Sequence, residues 1–244
     1  MKKWTLKDVG DHWDSVIDYD DINKKTYSYF RRFIDGYKLL PVKDNAHLLD
    51  ICCRTGNGSW YFSRKKAGKF SSVCMDPSKS FINAATKRLT DANVKFTAQQ
   101  FLELPLKVNG KIIKDKTFDN IMCFESLEHV PDAYVFLKEL HRVMKDDGTM
   151  LLTTPNILWE PIHWVAEKTG LHHSEGPSSF LPRKKVLKLL KKAGFRKLKE
   201  KTTVIIPYGP DFITTFGRNM EKVLGEPIMR LIGLRRMLIC RKSL

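Results

Sequence analysis

The sequence predicts an α/β fold built on a parallel sheet with helices on both faces, and three observations predict it. Short apolar runs bounded by turn residues recur through the middle of the chain, and stretches with apolar residues at three-to-four spacing separate them. No hairpin signal joins one run to the next. Strands buried on both faces of a parallel sheet read as continuous apolar runs, and each crossover needs a helix. Ligands in such sheets bind beyond the carboxyl ends of the strands, so the residues just after each run carry the functional information.

Taken in order, the strand candidates are HLLDICC (47–53), SSVCMD (71–76), NVKFTA (93–98), FDNIMCF (118–124) and GTMLLTT (148–154), with LRRMLIC (234–240) as a last strand. Between them, SKSFINAATKRL opens on a serine and DAYVFLKELHRVMK follows a Pro-Asp start, both signals for a helix N-terminus. The stretch RKKVLKLLKKAGFRKLKEK (183–201) reads as one amphipathic helix, with Val186, Leu190 and Ala193 on its apolar face and lysines in water. The first 44 residues, rich in aromatics and charge, predict a helical cap over the sheet edge, and 45–244 the main domain. Within it, 157–182 interrupts the alternation as a second cap, and 209–244 holds a helical stretch before the last strand.

At 244 residues the chain can bury one substantial core, and 42% hydrophobic with 29% charged residues is ordinary for a globular protein. The start MKKWTLKDVGDHWD has no apolar secretory core, and no window reaches the ~18 apolar residues of a membrane span. The expected location is cytoplasmic, with a peripheral position on a membrane permitted by the mixed apolar and basic tail MEKVLGEPIMRLIGLRRMLICRK. Five cysteines with no C-x-x-C pair, four of them in apolar runs, read as small hydrophobes rather than a disulfide framework or a zinc site. The net charge of +16 favours nucleic acid, an anionic membrane surface or phosphorylated metabolites as partners, and is equally the mark of a solvated basic surface.

The chemistry concentrates in two places. In LLDICCRTGNGS, Asp50 closes the first strand and a tight turn opens a helix, where backbone amides and the helix N-terminus suit a carboxylate ligand. In VCMDPS, Asp76 closes the second strand and is placed to accept hydrogen bonds from a ribose diol. In ESLEHV, Glu125, Glu128 and His129 form E-x-x-E-H; on a helix the three share one face, a ligand set for Mg²⁺ or Mn²⁺.

The block from His47 to Asn156 resembles the class I S-adenosylmethionine-dependent methyltransferases, nearest the small-molecule branch that includes ubiquinone-biosynthesis O-methyltransferases. The matching pieces are LLDICCRTGNGS, VCMDPS, FTAQQFLELPL, TFDNIMCFESLEHVPD and LKELHRVMKDDGTMLLTTPN, and more weakly FLPRKKVLKLLKKAGF. The resemblance implies a Rossmann-like seven-stranded sheet, mostly parallel with one antiparallel strand, and S-adenosyl-L-methionine (AdoMet) as methyl donor. It implies that Asp50, Gly56 and the loop between them hold the methionine part and Asp76 the ribose. Met75 and Pro77 would flank the adenosine, Gln100 and Phe101 meet the adenine, and Phe124 floor the pocket. His129 and Glu125 would act on the acceptor, and a divalent ion on Glu125, Glu128 and His129 would activate its hydroxyl; His172 or His173 would add a ligand or a base. His12, Trp13, Asp14 and Tyr19 would close over the cofactor. The family loop reads D-x-G-x-G-x-G, and here Cys52 and Arg54 stand at its first two glycines. Arg54 either swings out of the loop or reaches the cofactor's carboxylate.

The expected function is therefore methyl transfer to an O or N atom of a small, apolar or quinone-like acceptor, with Trp159, Trp164, Phe180 and Tyr208 as its wall. The rivals are an RNA methyltransferase, suggested by charge and E-x-x-E-H, and a non-catalytic AdoMet-fold scaffold, suggested by Arg54.

Overall fold

The computed structural model describes residues 4–16, 27–66, 69–169 and 176–243. Its main sheet has seven strands: β1 (Ala46–Ile51), β2 (Phe70–Asp76), β3 (Phe96–Gln100), β6 (Phe118–Phe124), β7 (Met144–Pro155), β8 (Phe195–Thr203) and β9 (Arg235–Lys242). The order across the sheet is β3-β2-β1-β6-β7-β9-β8; β9 runs antiparallel to both its neighbours and the remaining pairs are parallel. The seven strands and the single reversed one are as expected.

Helices cover both faces. On one side, α5 (Ala133–Val143) and α7 (Arg183–Lys192) enclose a core of Leu49, Ile121, Leu152 and Leu238. On the other, α2 (Tyr27–Leu39) and α3 (Asn57–Lys66) cover Leu48, Met122, Leu151 and Met237. The alternation along each strand separates these two sets, residue by residue. Both helices with sequence start signals are capped as predicted. Ser78 accepts from Phe81 N at the head of α4 (Lys79–Asp91), and Asp132 accepts from Tyr134 N and Val135 N at the head of α5. The first helix, α1 (Leu6–Ser15), starts on a capping box between Thr5 and Asp8.

Three expectations are corrected. The basic stretch 183–201 is not one helix: α7 stops at Lys192, Gly194 turns at φ +94, and the rest is β8. β8 is an edge strand, and exposed lysines on an edge strand guard it against pairing with other chains, so its charge imitates a helix's wet face. A hairpin is also present, a two-stranded ribbon of β4 (Lys107–Val108) and β5 (Lys111–Ile112). Its turn residues Asn109 and Gly110 sit at φ 51 and 74, the pattern an Asn-Gly turn favours. The tail before β9 holds two helices rather than one stretch, α8 (Asp211–Val223) and α9 (Glu226–Ile232). A further helix, α6 (Glu160–Lys168), follows β7. No helix among the described residues is long and apolar enough to cross a membrane.

Glu200 ties α7 to β8: its buried carboxylate accepts from Arg183 at 2.7 Å and Lys197 at 2.8 Å. Burial would raise this carboxyl, but the bonds from Arg183 and Lys197 outweigh it and hold it at about 2. A depressed carboxyl stabilises the fold above its unfolded value, and that contribution is lost as pH falls from about 4.5 towards 2. Glu200→Gln is expected to lower stability by up to about 3 kcal/mol at neutral pH. In thermal melts the gap between variant and parent should close as the pH approaches the lower limit; a constant gap would show that the ion pairs contribute nothing through charge.

Candidate active site

The carboxyl ends of β1, β2 and β6 meet under α1, where twelve residues line one cavity. Leu6, Val9 and Trp13 come from α1; Cys52 and Arg54 from the loop after β1; Asp76, Pro77 and Phe81 from the end of β2 and the head of α4. Glu125, Ser126, His129 and Val130 follow β6. The remaining free space is only about 20 Å³, room for about one water molecule. Two of its lining residues stack, the Arg54 guanidinium lying 5.1 Å from the Trp13 indole centroid.

The loop from Cys52 to Gly56 keeps a backbone shape that glycine adopts freely. Cys52, Arg54 and Gly56 have φ of 55, 50 and 74, all in the left-handed region. Two non-glycine residues hold that conformation because the loop is tied on every side. Cys53 N donates to Met75 O at 3.0 Å, Arg54 N to Asp76 Oδ2 at 2.8 Å, and Arg88 to the Thr55 carbonyl at 2.7 Å. Left-handed backbone at non-glycine positions costs roughly 1–2 kcal/mol each, so the surroundings impose it.

The two strand-end acids differ. Asp50 is buried and faces α3, accepting from Ser59 N at 2.9 Å and Ser59 Oγ at 2.8 Å. Burial pushes its carboxyl up to about 7, against the pull of the Ser59 bonds. It holds the first turn of α3 and does not line the cavity. Asp76 does line it, with Oδ1 accepting from Ser78 N and Oδ2 from Arg54 N. Above it, α1 lies directly on Pro77: a Cβ on Gly10 would meet the Pro77 carbonyl oxygen at 2.5 Å. Asp14 fastens the same helix by accepting from Ser78 Oγ and Ser80 N.

Glu125 sits in a turn at φ 47, not on a helix, and its carboxylate points to two arginines. Arg235 Nε approaches Oε1 at 2.5 Å and Arg32 Nη1 approaches Oε2 at 2.7 Å. Burial would raise its carboxyl, yet the charges of Arg235 and Arg32, with Arg54 beyond, hold it well below the usual carboxylate range. His129 Nδ1 lies 3.1 Å from the Pro177 carbonyl, the His129 carbonyl accepts from Trp4 Nε1 at 2.9 Å, and its ring stands edge-on to Trp13.

The structure therefore gathers Cys52, Arg54, Asp76, Pro77, Glu125 and His129 into one cavity and leaves other expected residues outside it. Phe101 and Met75 are buried in the core beside the sheet, and Gln100 donates its amide to Pro77 O at 2.8 Å. Phe124 turns to the opposite face, against Phe33 of α2 at 5.1 Å between centroids. The missing side chain of Gly56 would point at Ala85 of α4, at 3.1 Å. The divalent ion expected on Glu125, Glu128 and His129 finds no support in their arrangement. The segment is a turn, so the three do not share a helix face, and Glu125 is consumed by its arginines. No group of three or more His, Cys, Asp or Glu among the described residues could hold a metal ion. Tyr19, His172 and His173 lie outside the described residues. Leu6, Val9, Phe81, Ser126 and Val130 were missed; the spacing of Leu6, Val9 and Trp13 was the legible signal, since it puts all three on one face of α1.

A family model described as a methyltransferase domain matches residues 26–200. The chain belongs to this family. Membership places it among the class I S-adenosylmethionine-dependent methyltransferases. Demethylmenaquinone methyltransferases are similar in sequence. The one from Lactobacillus johnsonii is 29% identical over 150 residues, 58% of each chain. That from Bacillus subtilis is 27% identical over 140 residues, 54% of this chain and 56% of the relative. The match thus spans under three-fifths of these relatives' length. Among solved structures, a methyltransferase in complex with the Haloferax volcanii Trm112 activator superposes with TM-score 0.70 at 14% identity, covering 97% of this chain and 98% of that one. A SAM-dependent methyltransferase from Aquifex aeolicus gives 0.61 at 15% identity, covering 93% and 97%. At these identities the likeness concerns the fold.

Proposed function

We propose that this methyltransferase domain transfers a methyl group from AdoMet to an O or N atom of a small, apolar, quinone-like acceptor. The observation that carries the reading is the convergence of Asp76 and Arg54 in one cavity at the strand ends. A carboxylate suits a ribose diol, and a guanidinium suits the carboxylate of an amino-acid moiety. The donor chemistry fits the cofactor, and the cavity of about 20 Å³ must widen to admit it. When bound, AdoMet supplies a methyl group already activated on a sulfonium, so the protein's task is alignment and exclusion of water. In this reading α1 is the cap that excludes water, held on Pro77 by Gly10 and on α4 by Asp14. His129 is the acceptor's base: its Nδ1 faces a carbonyl and so carries the ring proton, which puts the lone pair on Nε2. Glu125 positions the pocket through Arg32 and Arg235. The names of the demethylmenaquinone relatives support a quinone-like acceptor.

Isothermal titration with AdoMet tests the reading before any acceptor is known. The parent protein is expected to bind, and Arg54→Gly to bind about fivefold to tenfold more weakly, the lost charge-assisted bond outweighing the freed Trp13 contact. Tighter binding in the variant would make Arg54 a barrier instead of a ligand. A parent protein with no AdoMet affinity would leave a non-catalytic scaffold.

A further inference from the structure

Three helices at the carboxyl end of the sheet turn apolar stripes outward. On α8, Phe212, Phe216 and Val223 follow at helical spacing, the two phenylalanines 73% and 62% exposed. The turn before α6 and α6 itself expose Leu158, Ile162 and Val165, with Trp164 60% exposed beside them, and α6 buries no residue at all. On α9, Ile228, Leu231 and Ile232 are exposed at the same spacing. These stripes adjoin: Trp159 Nε1 donates to Ile232 O at 2.9 Å and Asn156 Nδ2 to Leu231 O at 2.8 Å, pinning the start of α6 to the end of α9. α9 follows α8 directly, and α8 is seated by Gly217 against Ile206.

We propose that this face docks on an anionic lipid membrane surface. Charge complementarity selects that occupant. α9 packs on β8, and β8 packs on α7; Arg183 at the start of α7 bonds Glu200 near the end of β8, so the exposed Lys184, Lys185 and Lys199 stand at the end of the basic segment that borders the apolar face. Exposed aromatics and aliphatics beside a dense basic segment are the arrangement that inserts shallowly among acyl chains while cations meet lipid phosphates. A second copy of the chain is a poor occupant, because a two-fold contact through this face brings the basic segment towards its own copy. The face follows β7 and β8 on the side where the cavity lies, so docking presents that side to the bilayer.

Flotation of the full chain with vesicles tests this without AdoMet, so its outcome is separate from that of the methyl-transfer reading. Binding is expected to vesicles of equimolar phosphatidylcholine and phosphatidylglycerol, and to fall steeply with added salt and on pure phosphatidylcholine. Trp164→Ser, Phe212→Ser and Phe216→Ser together should weaken it about tenfold or more with an unchanged melting temperature, since none of the three is buried. Lys184→Glu with Lys188→Glu should weaken it through charge alone. No binding to the anionic vesicles, or binding that both variants leave intact, would overturn the proposal. So would a dimer in solution that Phe216→Ser returns to monomer, which would assign the face to a second copy.

Discussion

Glu125→Ala is expected to destabilise the fold by about 3–5 kcal/mol, because it strands two guanidinium groups in the protein interior. Arg235 is 2% exposed at its side chain, and both it and Arg32 spend a nitrogen on Glu125. Their other bonds, from Arg235 Nη1 to the Ser28 carbonyl and from Arg32 Nε to the Tyr29 carbonyl, are to neutral acceptors and cannot balance the charge. The three residues come from β9, α2 and the turn after β6, so the loss loosens the packing of α2 on the sheet. Denaturant unfolding measures the effect, and Glu125→Gln should recover only part of it. Added Mg²⁺ or Mn²⁺ should not restore stability in either variant. A loss under about 1 kcal/mol would mean that water reaches the arginines and that the cluster is in effect a surface pair.

Asp76→Ala is expected to act twice. It removes the carboxylate proposed to meet the ribose, which should weaken AdoMet binding by about 1.5–3 kcal/mol, the range for bonds to a charged group. It also leaves Arg54 N and Ser78 N without their acceptor, at about 1–3 kcal/mol for each amide that stays buried. The bonds from Arg54 N and Ser78 N add this effect on stability to the effect on binding. Asp76→Asn separates the two, since its amide oxygen still accepts one backbone bond while the charge is gone. Calorimetry and thermal melting on both variants are the measurements. Unaltered AdoMet affinity in a folded Asp76→Ala protein would put the cofactor somewhere else.

How much of this was legible depends on the range of the interactions concerned. The strands were legible because a parallel strand buried on both faces is apolar throughout, so HLLDICC and FDNIMCF announce themselves without reference to anything distant. Asp50 and Asp76 were legible by position, and Ser78 and Asp132 because a cap acts within three residues of itself. β8 was not legible as a strand: its lysines belong to an edge, and only the finished sheet has edges. The ribbon turns on a local Asn109-Gly110 signal, but its two-residue strands are too short to form an apolar run.

The site divided along the same line. Local sequence placed Cys52, Arg54, Asp76, Pro77, Glu125 and His129 after strand ends, where a parallel sheet puts its ligands. What those side chains do was decided by partners far away in the chain. Glu125 looked like a metal ligand beside Glu128 and His129, and became half of two ion pairs because Arg32 and Arg235 converge on it from 93 positions before and 110 after. Phe124 looked like a pocket floor and faces α2 because Phe33 and Gly36 make room for it there. The sequence by itself determined the α/β class, the strand ends and the residue types gathered at them, because periodicity and caps are short-range. Only the tertiary structure decided which of those residues turn inward, which pair, and which helices keep an apolar face in water, because charge pairing and burial depend on neighbours that local sequence does not name.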